Sequence, residues 1–237
     1  MWHVVVTCVK NKAFVGPKVS DAAKEIQPRG VRNDVRALFK EWTQLVDVRF
    51  AHGPQVAASQ LYRGNLWVRY CEAFRRLPEP KCLWIISAGL GLLQGDDLVC
   101  GYGATYHLGV EDSVYVADYF TALGQSKVHR EWSNQLALWK PSRWAHPRSL
   151  QALQESLGDR DKMIVAAGKE YLGALHDDLC RLTPDKRLLL ARSKSASSTI
   201  PPTLRAYARV YPSANPREAP AAALEQALEE LLRRGSP

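Results

Sequence analysis

The feature that most constrains this chain is a set of short apolar runs, each passing directly into small, polar residues. Residues 3–8 (H-V-V-V-T-C), 82–86 (C-L-W-I-I), 163–167 (M-I-V-A-A) and 187–191 (R-L-L-L-A) are β-branched or aliphatic almost throughout. Continuous rather than alternating apolarity is what a strand buried on both faces requires. Between these runs the spacing turns helical. Val35, Leu38, Phe39, Trp42 and Leu45 predict a helix over 32–46, and Leu66, Val68, Tyr70, Ala73 and Phe74 predict another, closed by Pro78 and Pro80. Shorter helices are predicted up to Ser59, over 129–139 and over 149–157, and Tyr171, Leu172, Leu175 and Leu179 share one helical face. The span 97–124, rich in Gly, Tyr and Val, reads as a long loop or an inserted hairpin.

Strands alternating with helices call for crossover connections. The expected architecture is therefore α/β, a three-layer α/β/α arrangement around a central, mainly parallel four-stranded sheet. One domain is expected over 1–211. Residues 212–237 are expected to add a linker and an amphipathic helix, marked by Leu224, Leu228, Leu231 and Leu232, that packs on it. A chain of 237 residues with 46% hydrophobic content can bury a substantial core.

Composition narrows the function classes. No apolar stretch approaches the roughly 20 residues of a membrane-spanning helix, and no basic region precedes the first apolar run, so a cytoplasmic protein with no membrane partner is expected. Five scattered cysteines, with no C-x-x-C pair, argue for reduced thiols rather than a disulfide framework. The six histidines show neither H-E-x-x-H nor a paired i, i+4 spacing, so no metal site is expected. The formal net charge of +8 suits a polyanion, because cations that neutralise phosphates gain from counterion release. Neither G-x-x-x-x-G-K-[ST] nor G-x-G-x-x-G is present, and no serine stands in a G-x-S-x-G elbow. No cofactor is expected.

Ligands of parallel sheets bind outside the carboxyl ends of the strands. On that rule the polar residues expected to gather are 8–12, 87–97, Gly168-Lys169 and 192–198. Asp96 and Asp97, beyond a glycine-rich turn, are candidate carboxylates for acting on water or stabilising a cation, or else ordinary turn chemistry. Gly89 and its neighbouring glycines let the backbone approach a flat ligand, as they also permit tight turns. Arg192, Lys194 and Ser195 form a donor-rich run able to grip phosphates.

Several of these segments resemble the bacterial family of YaaA peroxide-stress proteins. Cys8, Lys10 and Lys12 match that family's C-x-K-x-K motif, Leu61-Tyr62 its Leu-Tyr element, and Ser87-Ala88-Gly89-Leu90-Gly91-Leu92-Leu93 its S-A-x-x-G-L-L strand end. Asp96 and Tyr102 stand for its following Asp and Tyr, and the likeness covers roughly the first 105 residues. Gly89 replaces the usual Lys, and Gly103 a frequent Asp. The resemblance implies DNA binding. The strand-and-loop layout is also similar to the uracil-DNA-glycosylase architecture, including DNA glycosylases of phage defence, although the G-Q-D-P-Y-H motif is missing.

The expectation drawn from both is a DNA-binding N-glycosylase-type enzyme that removes a modified or damaged base in phage defence or genome maintenance. DNA is its expected partner, and no obligate protein partner is implied. Asp96, Asp97 and Tyr102 would be catalytic, and Asn11, Ser87, Gly89 and Tyr106 would bind the base. Lys10, Lys12, Arg192, Lys194 and Ser195 would hold phosphates. The alternatives are a non-catalytic DNA-binding stress protein of YaaA type and a nucleoside or nucleotide hydrolase.

Overall fold

The computed structural model describes residues 1–185, 187–192, 199–213, 215 and 218–235. In chain order the first half runs β1 (Trp2–Thr7), α1 (Val19–Ile26), α2 (Val35–His52), β2 (Gln55–Ala57), α3 (Ala58–Leu61), α4 (Asn65–Arg75), β3 (Lys81–Ser87), β4 (Gly91–Gln94) and β5 (Leu98–Cys100). The second half runs α5 (Gln125–Leu138), α6 (Leu150–Glu155), β6 (Lys162–Ala166), α7 (Lys169–Ala174), α8 (His176–Arg181), β7 (Leu188–Arg192), β8 (Ala208–Val210) and α9 (Ala219–Gly235).

The fold is α/β, and its main sheet has six strands in the order β4-β3-β1-β6-β7-β8. The expected four are all present as β1, β3, β6 and β7, and they are parallel to one another. The two additions are edge strands. β8 continues the parallel run, and β4 folds back antiparallel on β3, pairing Ser87 with Gly91 and Trp84 with Gln94. Only a turn of three residues, Ala88 to Leu90, separates β3 from β4. Gly91 enters the return strand with φ of 78°, a left-handed conformation that glycine adopts without strain.

β1 lies at the centre of the sheet. Val4, Val5 and Val6 are each completely buried. Successive strand residues point to opposite faces, so both faces are covered, and the β-branched run follows from that. α9 packs on β6, β7 and α4, while α5 packs on α2, β4 and α7. α9 is also tied down at its start, where Arg69 of α4 pairs with Glu218 and Glu225. The span 97–124 is mostly irregular. Its β5 pairs with β2 in a separate two-stranded antiparallel sheet, rather than forming a hairpin of its own. Tyr102, Tyr106, Val114, Tyr119 and Phe120 bury it deeply. Among the described residues, no helix is long and apolar enough to cross a membrane.

Candidate functional site at the carboxyl edge of the sheet

The chain moves from β1 to β3 on one side and later to β6 on the other, so the direction of winding reverses between β1 and β6. In open α/β sheets this reversal opens the ligand crevice at the carboxyl ends. Here Cys8 follows β1 and Tyr171 stands in the first turns of α7, just beyond β6. Cys8 Sγ lies 3.2 Å from the Tyr171 hydroxyl, closing the switch point.

The loop after β1 is fixed by backbone pairing. Ala13 N–H donates to the Leu61 carbonyl (2.7 Å) and Arg63 N–H to that of Asn11 (2.9 Å), which sets Lys12 opposite Tyr62 in an antiparallel bridge. Lys10 and Asn11 are thereby exposed, whereas Lys12 is half-buried with its Nζ 4.5 Å from the centre of the Tyr102 ring. Burial is the main influence on the Lys12 amine, holding it below the ordinary lysine range. Cys8 and Asp112 oppose that shift and Lys10 adds to it.

Beneath Lys12 runs a chain of buried hydroxyls. Ser87 Oγ accepts from the N–H groups of Gly89 (3.2 Å) and Leu90 (2.9 Å), and lies 2.6 Å from the Tyr102 hydroxyl, which lies 2.7 Å from that of Tyr62. A serine hydroxyl has two lone pairs and one proton. With both lone pairs taken by N–H donors, Ser87 must donate to Tyr102, and Tyr102 in turn to Tyr62. Ser87 thus has no lone pair left for a base edge. Burial, reinforced by Cys8, pushes both phenols well above the usual tyrosine range, so they remain protonated.

The turn that holds Ser87 is clamped from behind. Trp132 Nε1 donates to the Ala88 carbonyl (2.7 Å) and Trp42 Nε1 to that of Gly89 (2.8 Å). A Cβ on Gly89 would fall 2.5 Å from the Tyr102 ring, so the glycine is required by that ring and not by an approaching ligand. Tyr106 packs edge-on against Tyr171 at 5.1 Å and tilted against His129 at 5.3 Å. Burial drives His129 down to about 4, with Glu170 opposing, and among the described residues its Nε2 has no hydrogen-bond partner.

The sequence-predicted residues therefore divide. Lys10, Asn11, Lys12, Ser87, Gly89, Tyr102 and Tyr106 do gather at the carboxyl edge, but of these Ser87, Gly89, Tyr102 and Tyr106 are buried. Arg192 ends β7 on the same edge, where burial and Arg205 lower its guanidinium. Lys194 and Ser195 lie outside the described residues.

Asp96 and Asp97 do not join the others. The antiparallel return of β4 carries them to the opposite edge, level with the start of β3, where Gly95 N–H donates to the Leu83 carbonyl (2.8 Å). Asp97 Oδ2 accepts from Gln94 N–H (2.7 Å) and pairs with His146 Nε2 (2.6 Å), while Asp96 is exposed. An open groove of about 620 Å³ adjoins them, lined by Asp47, Phe50, Asp96, Asp97, Arg143 and Trp144. Its three carboxylates face one arginine, already paired with Asp47 (2.7 Å), so it repels phosphate.

Tyr171 and His129 are the members of the site that sequence reasoning did not single out, whereas Cys8 and Tyr62 were named there without a role of their own. Cys8 and Tyr62 had a signal, since both lie in segments that carry the YaaA-like motifs. Tyr171 and His129 sit alone in helices and had none. No protein-family model matches the chain, and comparison with curated proteins gives no match.

Proposed function

We propose that this protein is a DNA-binding N-glycosylase-type enzyme, with its site at the carboxyl edge around Cys8–Lys12 rather than at the Asp96-Asp97 turn. The observation that carries the reading is the placement of a half-buried Lys12 amine on the Tyr102 ring, at the sheet's switch point, with Lys10 and Asn11 exposed beside it. Exposed cations there, with Lys169 across the switch point, suit a phosphate backbone. A desolvated amine supplies a nucleophile for the sugar carbon of an N-glycosidic bond. Phage defence and genome maintenance both offer such substrates.

The test is incubation with phage DNA carrying modified bases, followed by assay for abasic sites. Base release from some modified DNA is expected, and failure across a broad panel of modified and damaged bases would sink the reading.

A second reading, a non-catalytic DNA-binding protein, draws support from one observation. The cavity touching Ser87 and Tyr106 measures about 20 Å³, room for a water and not for a flipped base. Such a binder would show salt-dependent affinity for DNA and no base release.

A further inference from the structure

We infer that Lys12 is an imine-forming nucleophile: its Nζ, stacked on Tyr102 and in contact with no carboxylate among the described residues, would form a covalent bond with C1′ of a deoxyribose in DNA. The choice of sugar rests on the glycosylase reading above; the assignment of the amine rests on its own surroundings.

Most lysines at a protein surface either extend into water or pair with an acid. Lys12 does neither. Among the described residues its Nζ donates only to the Lys10 carbonyl, at a long 3.4 Å, and no carboxylate approaches it within 4 Å. Its other neighbour is the face of a phenol whose hydroxyl is committed to Ser87 and Tyr62. A quadrupole attracts a cation without forming a bond to it, so the amine keeps its lone pair whenever it loses a proton.

The charged and titratable groups that set its charge come from two elements, Cys8 and Lys10 from the loop after β1 and Asp112 from the long irregular span, while the phenols of Tyr62 and Tyr102 beneath stay protonated. Desolvation with a neighbouring cation is how lysines become nucleophilic near neutral pH. Lys12 has both, and the backbone pairing on either side of it fixes where the side chain starts.

In the proposed step the Nζ lone pair adds to C1′ as the C1′–N bond breaks. The base leaves with that electron pair and takes one amine proton. The remaining amine proton passes to O4′ as the C1′–O4′ bond opens, which leaves an imine between Lys12 and C1′. Water then hydrolyses the imine to an aldehyde and returns the free amine. With a preformed abasic site the same imine arises by loss of water from amine and aldehyde.

The experiment uses the full chain and a duplex oligonucleotide with one preformed abasic site, at neutral pH, with sodium borohydride added to reduce any imine to a stable secondary amine. A covalent protein–DNA adduct is expected, with peptide mapping placing it on Lys12. Lys12→Arg, which keeps the cation, and Lys12→Gln should each lower its yield by more than about tenfold, with near-UV circular dichroism checking that each variant folds. The absence of an adduct, or an adduct mapped to another lysine, would overturn the assignment, and mapping on the natural chain decides the matter if neither variant folds. The two readings fail separately. Base release without trapping removes Lys12 as nucleophile and leaves a glycosylase. Trapping on Lys12 without base release from any modified DNA leaves the amine and removes the glycosylase.

Discussion

The two edges of the main sheet are built from similar residue types put to opposite uses. At the amino edge, acids are closed off by bases: Asp97 by His146, Asp161 by the N-terminal amine at 2.7 Å, and Asp185 by Arg187 at 2.6 Å. At the carboxyl edge a lysine lies over an aromatic ring, above hydroxyls that satisfy one another, with no acid in contact among the described residues. Closed pairs hold strand starts and turns in place. An amine over a desolvated floor with no acid in contact costs stability, which places the cost where ligands of such sheets bind. The edges thus differ in whether their charges are paired within the fold.

The comparison breaks most visibly at Asp97. Asp97→Ala leaves Gln94 N–H and the half-buried His146 without their acceptor, and should cost roughly 3–4 kcal/mol in urea unfolding. DNA affinity should stay the same or rise. A stable variant with lost base release would return the chemistry to the amino edge.

The next largest effect is in pH. His129 holds its proton only below about 4, whereas an unfolded histidine takes one near its ordinary value of 6.5. Between those values the unfolded state binds the extra proton, so stability is complete above 6.5 and falls as pH drops towards 4, by about 3 kcal/mol. His129→Phe should remove that slope, read from chemical unfolding at pH 7 and pH 4.5. An unchanged slope would mean that some other group carries it.

Gly89→Ala tests whether the turn serves the ring or a ligand. The added Cβ meets Tyr102, whose hydroxyl is fixed at 2.6 Å from Ser87, so a loss of about 2 kcal/mol is expected. A variant of natural stability that loses only DNA affinity would favour close approach of a ligand instead. The smallest effect sharpens the basic rim. Lys10→Ala should weaken duplex binding a few-fold and reduce the slope of log affinity against log salt by about 0.9 for its one phosphate contact. An unaltered slope would place the phosphates elsewhere.

Much of the fold was legible in the sequence because burial on both faces leaves a mark. V-V-V in β1, W-I-I in β3 and I-V-A in β6 admit few other readings. The loop of Cys8, Lys10 and Lys12 was also legible, since a polar segment that follows such a strand must emerge at its carboxyl end. β4 was not legible. Gly91-Leu92-Leu93-Gln94 is four residues long with a glycine at its start, so it reads equally well as the tail of a glycine-rich loop. Only the burial of Leu92 and Leu93 tells the two apart. That one ambiguity decides where Asp96 and Asp97 fall, because a loop keeps them beside Ser87 and a return strand removes them to the far edge. Tyr171 and His129 come to the site through packing between distant helices, which no local pattern records.

The claim that the carboxyl edge is the working face is tested most directly by hydrogen–deuterium exchange of the full chain with and without duplex DNA. Slowed exchange of backbone amides is expected over 9–13, at Arg63 and over 168–171, with 94–98 and 143–147 unchanged. Protection confined to 94–98 and 143–147, with none around Lys12, would contradict it.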